Sequence, residues 1–368
     1  MDTMHWQTAP VDDNGTYLGY LDSGVPPTSD YTTFVIVHGH TFHAPAFSRL
    51  LPLAHNHNAR VIALNRRDYV HSTPYSEADL NVLASKDEDA HSQFLRARGL
   101  EIARFLCWVI TELKVPKANF GENAASPSGG VVLMGWSLGN LFTDAFVAYL
   151  DTYPLDVIET LKLYLKSLII YAAPIGQTGY PAPPDAYNPF SDSDNPKRIA
   201  PVSFGAWVTA YYKHPAYSSP QKSGVLSPAS LIQNIPEQPY RPPTVDTISK
   251  DELAIILDLE PNERSERLLI IMSPSLIHGV LEKTLLGADK SPLPHLNVYY
   301  VYGQADFWMV LWAAREFEKD LEKWRINGEH VRPTKVISVP GANHMIHWDD
   351  PETFLKLITK GEIPQNNL

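Results

Sequence analysis

The sequence contains one cysteine, Cys107, in 368 residues. An internal disulfide and a cysteine-based zinc cage are both excluded. Cys107 sits in "IARFLCWVI", an apolar helical stretch, where a thiol packs as a small hydrophobe. No lysine- or arginine-rich run stands out, and 30 basic against 41 acidic residues leave a net charge of −11. A chain of that charge is repelled by phosphate backbones and anionic lipid, so neither nucleic acid nor such a membrane is an expected partner. No apolar run is long enough to span a bilayer. "MDTMHWQTAPVDDNG" lacks the basic and apolar segments of an export signal. The cytoplasm is therefore the expected location, and the sequon at Asn14 carries no weight. Repeats and low-complexity tracts are also missing. What remains is 44% hydrophobic and 19% charged, a balance that folds and buries a large core.

The first half alternates two patterns. "TYLGYLDSG" (16–24), "TFVIVHG" (33–39), "RVIALNRRDY" (60–69), "GGVVLMGWS" (129–137) and "LKSLIIYAAP" (165–174) read as strands, most of them the continuous apolar runs of strands buried on both faces. Helical spacing fills the gaps, around "PAFSRLLPLAHNH", over 77–114 and in "LGNLFTDAFVAYL". After Pro174 the composition shifts to prolines and aromatics, followed by two helical patterns, "SKDELAIILDLE" and "PSLIHGVLEKTLLG". Strand–helix alternation resumes with "HLNVYYVYG" (295–303), "FWMVLWAAREFEKDLEKW", "TKVISVPG" and "PETFLKLITK". This pattern predicts an α/β fold, with a mostly parallel sheet flanked by helices. Residues 1–174 and 295–368 form its core, and 175–294 a large insertion.

Chemistry enters at Gly135-Trp136-Ser137-Leu138-Gly139. The G-x-S-x-G pentapeptide recurs by chance, but here it follows a buried strand and precedes a helix. A strained turn there lifts the serine hydroxyl off the sheet, and a helix N-terminus leaves N–H groups pointing at incoming negative charge. A serine hydroxyl needs a base to take its proton, and that base needs a group to orient it. "YVYGQADF" puts Asp306 just past a strand. "ISVPGANHMIHWDDPETF" offers His344 and, three residues on, His347. His344 is favoured because it follows "PGAN" at the strand's C-terminal edge. "YAAPIGQTG", the loop after the preceding strand, has no acid, which leaves Asp306 as the third member. The chain order is Ser, Asp, His.

With "HGHTF", "GWSLG", "YGQAD" and "GANH" in place, the chain resembles the α/β-hydrolase superfamily, in its capped branch of esterases, lactonases and related hydrolases. The resemblance covers nearly the whole chain apart from the insertion. It implies the α/β-hydrolase fold with a cap after the sixth strand. It also implies that His38-Gly39 closes the third strand and opens an oxyanion loop, with the backbone N–H groups of His40 and Leu138 facing the developing oxyanion. His38 is then a structural histidine bonded within the loop.

Three histidines in "HGHTFH" also suggest a metal site. Zinc, however, needs three or four convergent ligands, usually with a carboxylate or cysteine close by, and "HGHTFH" lacks the aspartate of an H-x-H-x-D-H pattern. No metal and no organic cofactor is expected. Candidates for a substrate pocket are His43, Trp136, Trp207 and Tyr212, although Trp136 also reads as packing under the serine turn. The aromatics Tyr180, Tyr187, Phe190, Phe204, Trp207, Tyr211 and Tyr212 read equally well as the core of a lid or as a pocket wall. Arg66, Arg67 and Asp68 are expected to form ion pairs at a strand end or to edge the pocket. His55 and His57 are expected at a solvated helix end.

The expected activity is hydrolysis of an ester, lactone or thioester of a mainly apolar small molecule through an acyl-serine. The same triad would serve an acyltransferase using an alcohol or amine acceptor, and the same fold a ligand receptor without catalysis. The small-molecule substrate is the expected partner. Oligomeric state is not legible.

Overall fold

The structure, a computed structural model, describes residues 4–120, 128–187, 201–217 and 226–361. Eight strands form one sheet in the order β1-β2-β4-β3-β5-β6-β7-β8. They are β1 Gln7–Pro10, β2 Tyr17–Asp22, β3 Thr32–Val37, β4 Ala59–Leu64, β5 Val131–Trp136, β6 Leu165–Tyr171, β7 Asn297–Gly303 and β8 Thr334–Val339. The pairs β1–β2 and β2–β4 are antiparallel, and every pair from β4 to β8 is parallel. β4, β5 and β6 are buried along their whole length, as strands covered by helices on both faces must be. β1 was not expected. Its four residues pair on the sheet's edge, and such a segment is too short to show a period.

Several helical readings need revision in detail. "PAFSRLLPLAHNH" folds as two 3₁₀ segments, Ala44–Phe47 and Leu51–His57, each with proline in its first turn. Residues 77–114 hold two helices, Glu77–Ala84 and Glu88–Glu112. Ser76 and Asp79 close a capping box on the first, and the Asp87 carboxylate caps the second. Each N-terminus thus has its own acceptor for otherwise orphan N–H groups, which is why the run breaks. His57 packs at 3.2 Å from Glu352 with its side chain 4% exposed, instead of standing in solvent.

Between β6 and β7 the described chain is short helices joined by irregular backbone. The longest, Pro274–Leu285, lies against the helix Gly139–Ala148 that follows β5. Smaller pieces reach over the C-terminal edge of the sheet. Residues 256–258 pair with 41–43 through His43 N–H to Ile256 O (3.1 Å) and Asp258 N–H to Thr41 O (3.0 Å). The Tyr212 N–H donates to Ala305 O at 3.0 Å. Among the described residues no single helix is long and apolar enough to cross a membrane.

Candidate active site

Ser137 stands between β5 and its helix at φ +53°, in the left-handed region that costs a non-glycine residue of order 1–3 kcal/mol. The surroundings impose this conformation. Ser137 N–H donates to Tyr171 O on β6 (3.0 Å), and the Asn140 amide donates to Ser137 O (2.8 Å) and Tyr171 O (2.9 Å). Asn140 also accepts the Tyr171 N–H and has no exposed surface. The two motif glycines are required by close approach. A β-carbon on Gly139 would sit 2.2 Å from Val37 O, and one on Gly135 2.4 Å from Thr143 Oγ1. Asn140 was not singled out from the sequence. A small amide at the second position of a helix looks like any other polar residue until β6 lies beside it.

Asp306 follows β7 and His344 follows β8, so parallel neighbours deliver both side chains to the same edge. Both carboxylate oxygens of Asp306 lie 3.1 Å from His344 Nδ1, and Phe307 N–H donates to Oδ1 at 2.8 Å. Burial pushes the Asp306 carboxyl above the usual carboxylate range, and His344 and the Phe307 N–H oppose that shift. The His344 carbonyl accepts from Trp136 Nε1 (3.1 Å) and Tyr171 OH (3.2 Å). Asn343, fully buried, accepts the Met345 N–H at 2.9 Å and donates to Thr209 O at 2.6 Å and Thr244 Oγ1 at 2.8 Å. Asn343, too, went unassigned from sequence, although it stands inside "GANH".

His347 goes elsewhere. It is fully buried behind Trp136, stacked on Phe47 with 4.5 Å between ring centroids, and its Nδ1 meets Tyr171 OH at 3.1 Å. Burial holds its pKa well below the ordinary histidine value.

Ser137 and His344 share a cavity of about 220 Å³, lined by His40, Phe42, Trp136, Leu138, Pro174, Ile175, Gly176, Gln177, Phe204, Trp207, Val208, Ile270, Phe307 and Met309. Most of this lining is apolar. Among the described residues no hydrogen bond joins the Ser137 hydroxyl to His344, and such bonds are commonly long before substrate arrives. Neither the His40 nor the Leu138 N–H meets a protein acceptor among the described residues. Both residues line the cavity.

The remaining candidates divide. Trp136 and Trp207 line the cavity, whereas His43 and Tyr212 do not. His43 is turned away and buried, with Nε2 at 2.9 Å from Ile255 O and Nδ1 facing the Asn65 amide. Tyr212 lies behind Trp207, donating its hydroxyl to Trp207 O at 2.7 Å. Of the other insertion aromatics, Phe204 joins the wall, Tyr187 flanks Trp207, Tyr211 bonds Asp349 and Tyr180 packs on His278. Phe190 lies outside the described residues. Arg66, Arg67 and Asp68 form ion pairs, with Glu266, Glu101 and Arg264, and none of the three lines the cavity. Cys107 is half-buried against Val157 O.

The histidine loop is built from neutral, hydrogen-bonded rings. His38 Nδ1 donates to Gly39 O (2.8 Å) while Nε2 accepts the Arg66 N–H (3.1 Å), and burial lowers its pKa well below the ordinary value. His40 Nε2 faces Asn262 Oδ1 at 3.0 Å. Among the described residues no group of three or more histidine, cysteine, aspartate or glutamate side chains is placed to hold a metal ion.

Comparison with curated protein sequences finds no significant match. Among solved structures, an epoxide hydrolase mutant of Vigna radiata is similar in fold at 12% identity and a TM-score of 0.50, over 97% of this chain and 98% of that one. Bromoperoxidase from Bacillus anthracis gives 11% identity and a TM-score of 0.49, over 96% and 98%. A thioesterase domain from the curacin biosynthetic pathway gives 13% and 0.46, over 97% and 99%. At such identities the likeness is one of fold. The sequence model described as "Alpha/beta hydrolase family" matches residues 34–357, and with that match the chain belongs to the alpha/beta hydrolase family.

Proposed function

We propose that the protein is a serine hydrolase cleaving an ester, lactone or thioester of a mainly apolar small molecule. One observation carries the reading. Ser137 on its strained turn and His344, backed by buried Asp306, open into the same apolar cavity.

In this reading the Ser137 Oγ attacks the acyl carbon as His344 Nε2 takes its proton. Ionised Asp306 selects the tautomer with hydrogen on Nδ1 and stabilises the imidazolium. The carbonyl oxygen, now an oxyanion, is received by the N–H groups of His40 and Leu138. Collapse expels the alcohol or thiol, which takes the proton from His344. A water then repeats the sequence, with His344 again as base, and releases the acid and free Ser137. The insertion covers the site as a cap, contributing Phe204, Trp207, Val208 and Ile270 to an apolar wall that suits a hydrocarbon acyl or alcohol group.

The test is intact-mass analysis after treatment with an alkyl fluorophosphonate, followed by a panel of short and medium esters, lactones and thioesters. One adduct mapped to Ser137, with burst acylation by an activated ester, is the expected outcome. A protein that binds the esters but takes no adduct would be a receptor, and an acyl group passed to an added alcohol in preference to water would make it a transferase.

A further inference from the structure

Arg66 and Glu266 form an ion pair whose side chains are 3% and 1% exposed, with Nη1 to Oε1 at 2.9 Å and Nη2 to Oε2 at 3.0 Å. Glu266 ends a π-helical turn, Asn262–Glu266, within the insertion, and Arg66 follows β4. A buried pair that only fastened the insertion to the core could grip any part of either. This one grips the oxyanion loop. Arg66 Nε donates to His38 O (3.2 Å) and Nη2 to Gly39 O (2.9 Å). The second oxygen of Glu266 accepts the Tyr69 hydroxyl at 2.9 Å, and the Tyr69 oxygen accepts the Thr41 N–H at 2.9 Å. The contacts therefore fall on both sides of His40. Asn262, from the same turn, meets the His40 ring itself.

The geometry of one peptide unit makes this consequential. Gly39 O and His40 N–H belong to the same trans peptide, so they point in opposite directions. Holding the carbonyl on Arg66 aims the N–H away from Arg66. A flip of that unit would turn a carbonyl toward the developing oxyanion and lose one donor. Thr41 at φ +66° shows that the loop is not in a conformation its sequence would choose unaided.

We propose that Glu266 and Arg66 are positioning residues that lock the Gly39–His40 peptide with its N–H toward Ser137, so that the insertion completes the oxyanion hole as well as covering it. The proposal rests on the Ser137 reading.

Glu266→Gln keeps the shape but removes the charge that holds the guanidinium, and Tyr69→Phe, the milder change, leaves the ion pair and removes only the Thr41 arm. Turnover of 4-nitrophenyl butyrate is measured per active site, counted with fluorophosphonate, alongside inhibition by an alkyl trifluoromethyl ketone, whose tetrahedral adduct carries an oxyanion. Glu266→Gln should lower kcat about 10²-fold, the scale of one lost oxyanion donor, with KM changed by less than about threefold. Ketone affinity should fall in parallel with kcat. Tyr69→Phe should show the same pattern at about tenfold, roughly one neutral hydrogen bond. Folded variants, Tyr69→Phe included, that melt earlier but keep kcat and ketone affinity would overturn the proposal and leave Ser137 untouched. A wild-type protein that takes no fluorophosphonate would remove the Ser137 reading and this one with it.

Discussion

The sheet and the insertion meet at one cavity and contribute to it in different currencies. From the C-terminal edge of the sheet come Ser137, Asp306 and His344, each just past the end of a parallel strand, with the Ser137 N–H bonded to Tyr171 O on β6 and the His344 carbonyl held by Trp136 and Tyr171. The insertion brings none of these. It brings apolar wall and hydrogen bonds to neighbouring groups. Thr209 O and Thr244 Oγ1 accept from Asn343 beside His344, and His214 Nε2 lies 2.7 Å from Asp306 O. Glu266 holds Arg66 against the His38–Gly39 loop. The proposed reactive groups thus follow sheet strands, and the irregular segment reaches them through the neighbouring Asn343 and Arg66 side chains and through the Asp306 carbonyl. Substitutions on the two sides should fail differently: the first in chemistry with folding intact, the second in selectivity, geometry or stability.

The largest effect belongs to the sheet edge. Ser137→Ala should cut turnover by about 10⁴–10⁶ with a nearly unchanged unfolding transition, because in the proposed mechanism the hydroxyl forms the covalent bond and alanine carries the same left-handed φ as serine. His344→Ala and Asp306→Asn should each lose about 10⁴. His347→Phe should leave kcat within a few-fold, since that ring lies behind Trp136. Retention of a tenth of activity in Ser137→Ala would break the comparison at its strong end, and collapse of activity in His347→Phe would move the base.

How much of this was legible differs between the regions for physical reasons. Strands buried on both faces write continuous apolar runs, and Ser137 follows such a run at the end of β5, whereas Asp306 and His344 follow the partly buried β7 and β8, so the three proposed catalytic residues could be put forward from local pattern and chain order. The braces could not. Asn140 and Asn343 acquire their partners only when β6 or the insertion arrives beside them, and Arg66 and Glu266 are 200 residues apart in the chain. Arg66 is legible as one end of an ion pair at a strand end, but Glu266 looks like surface charge, because charged residues usually are. Of the pocket candidates Trp136 and Trp207 line the cavity and His43 and Tyr212 do not, for a related reason. Aromatics crowd the insertion, but a segment that covers a site must also have a core of its own, and His43 and Tyr212 went to structural positions.

Acid should sharpen the comparison at an intermediate scale. His347 behind Trp136 and His214 in the insertion are both buried, with pKa values held well below the ordinary one and at about 4 respectively. Each binds its proton in the unfolded chain near pH 6.5 but not in the folded one. Their contribution is therefore complete above pH 6.5 and is lost as pH falls toward the folded value, at about 1.4 kcal/mol per unit for each. Asp144, fully buried and without a partner for either oxygen among the described residues, has a raised pKa and works in the opposite direction. The wild-type slope is a sum, so differences are the measurement. Urea unfolding at pH 7.5 and 5.5 should show His347→Phe and His214→Gln each losing about 1.4 kcal/mol less than wild type between the two. Phenylalanine suits the first site because Tyr171 OH keeps His344 O as acceptor. Equal slopes in all three proteins would mean that these rings titrate normally.

The smallest predicted effect separates wall from support within the insertion itself. Trp207 and Tyr212 are five residues apart, both buried and bonded to each other through Tyr212 OH and Trp207 O, yet only Trp207 lines the cavity. Truncating Trp207 to Ala enlarges the wall, so longer acyl chains should gain relative to short ones. A shift of about tenfold in the ratio of kcat/KM between octanoate and acetate esters is the scale of one to two methylenes in an apolar pocket. Tyr212→Phe removes one buried hydroxyl donor and leaves Trp207 O without it, which should cost about 1 kcal/mol of stability with the ester ratio unchanged. Trp207 Nε1 also donates to Gln233 O at 3.0 Å, so the alanine variant loses that bond and some stability as well. The ratio between substrates is therefore the diagnostic, since a uniformly weakened enzyme loses activity on both esters alike. If the ratio moves for Tyr212→Phe and stays fixed for Trp207→Ala, the cavity is walled from the other side of this pair, and the division between covering and bracing drawn within the insertion is misplaced.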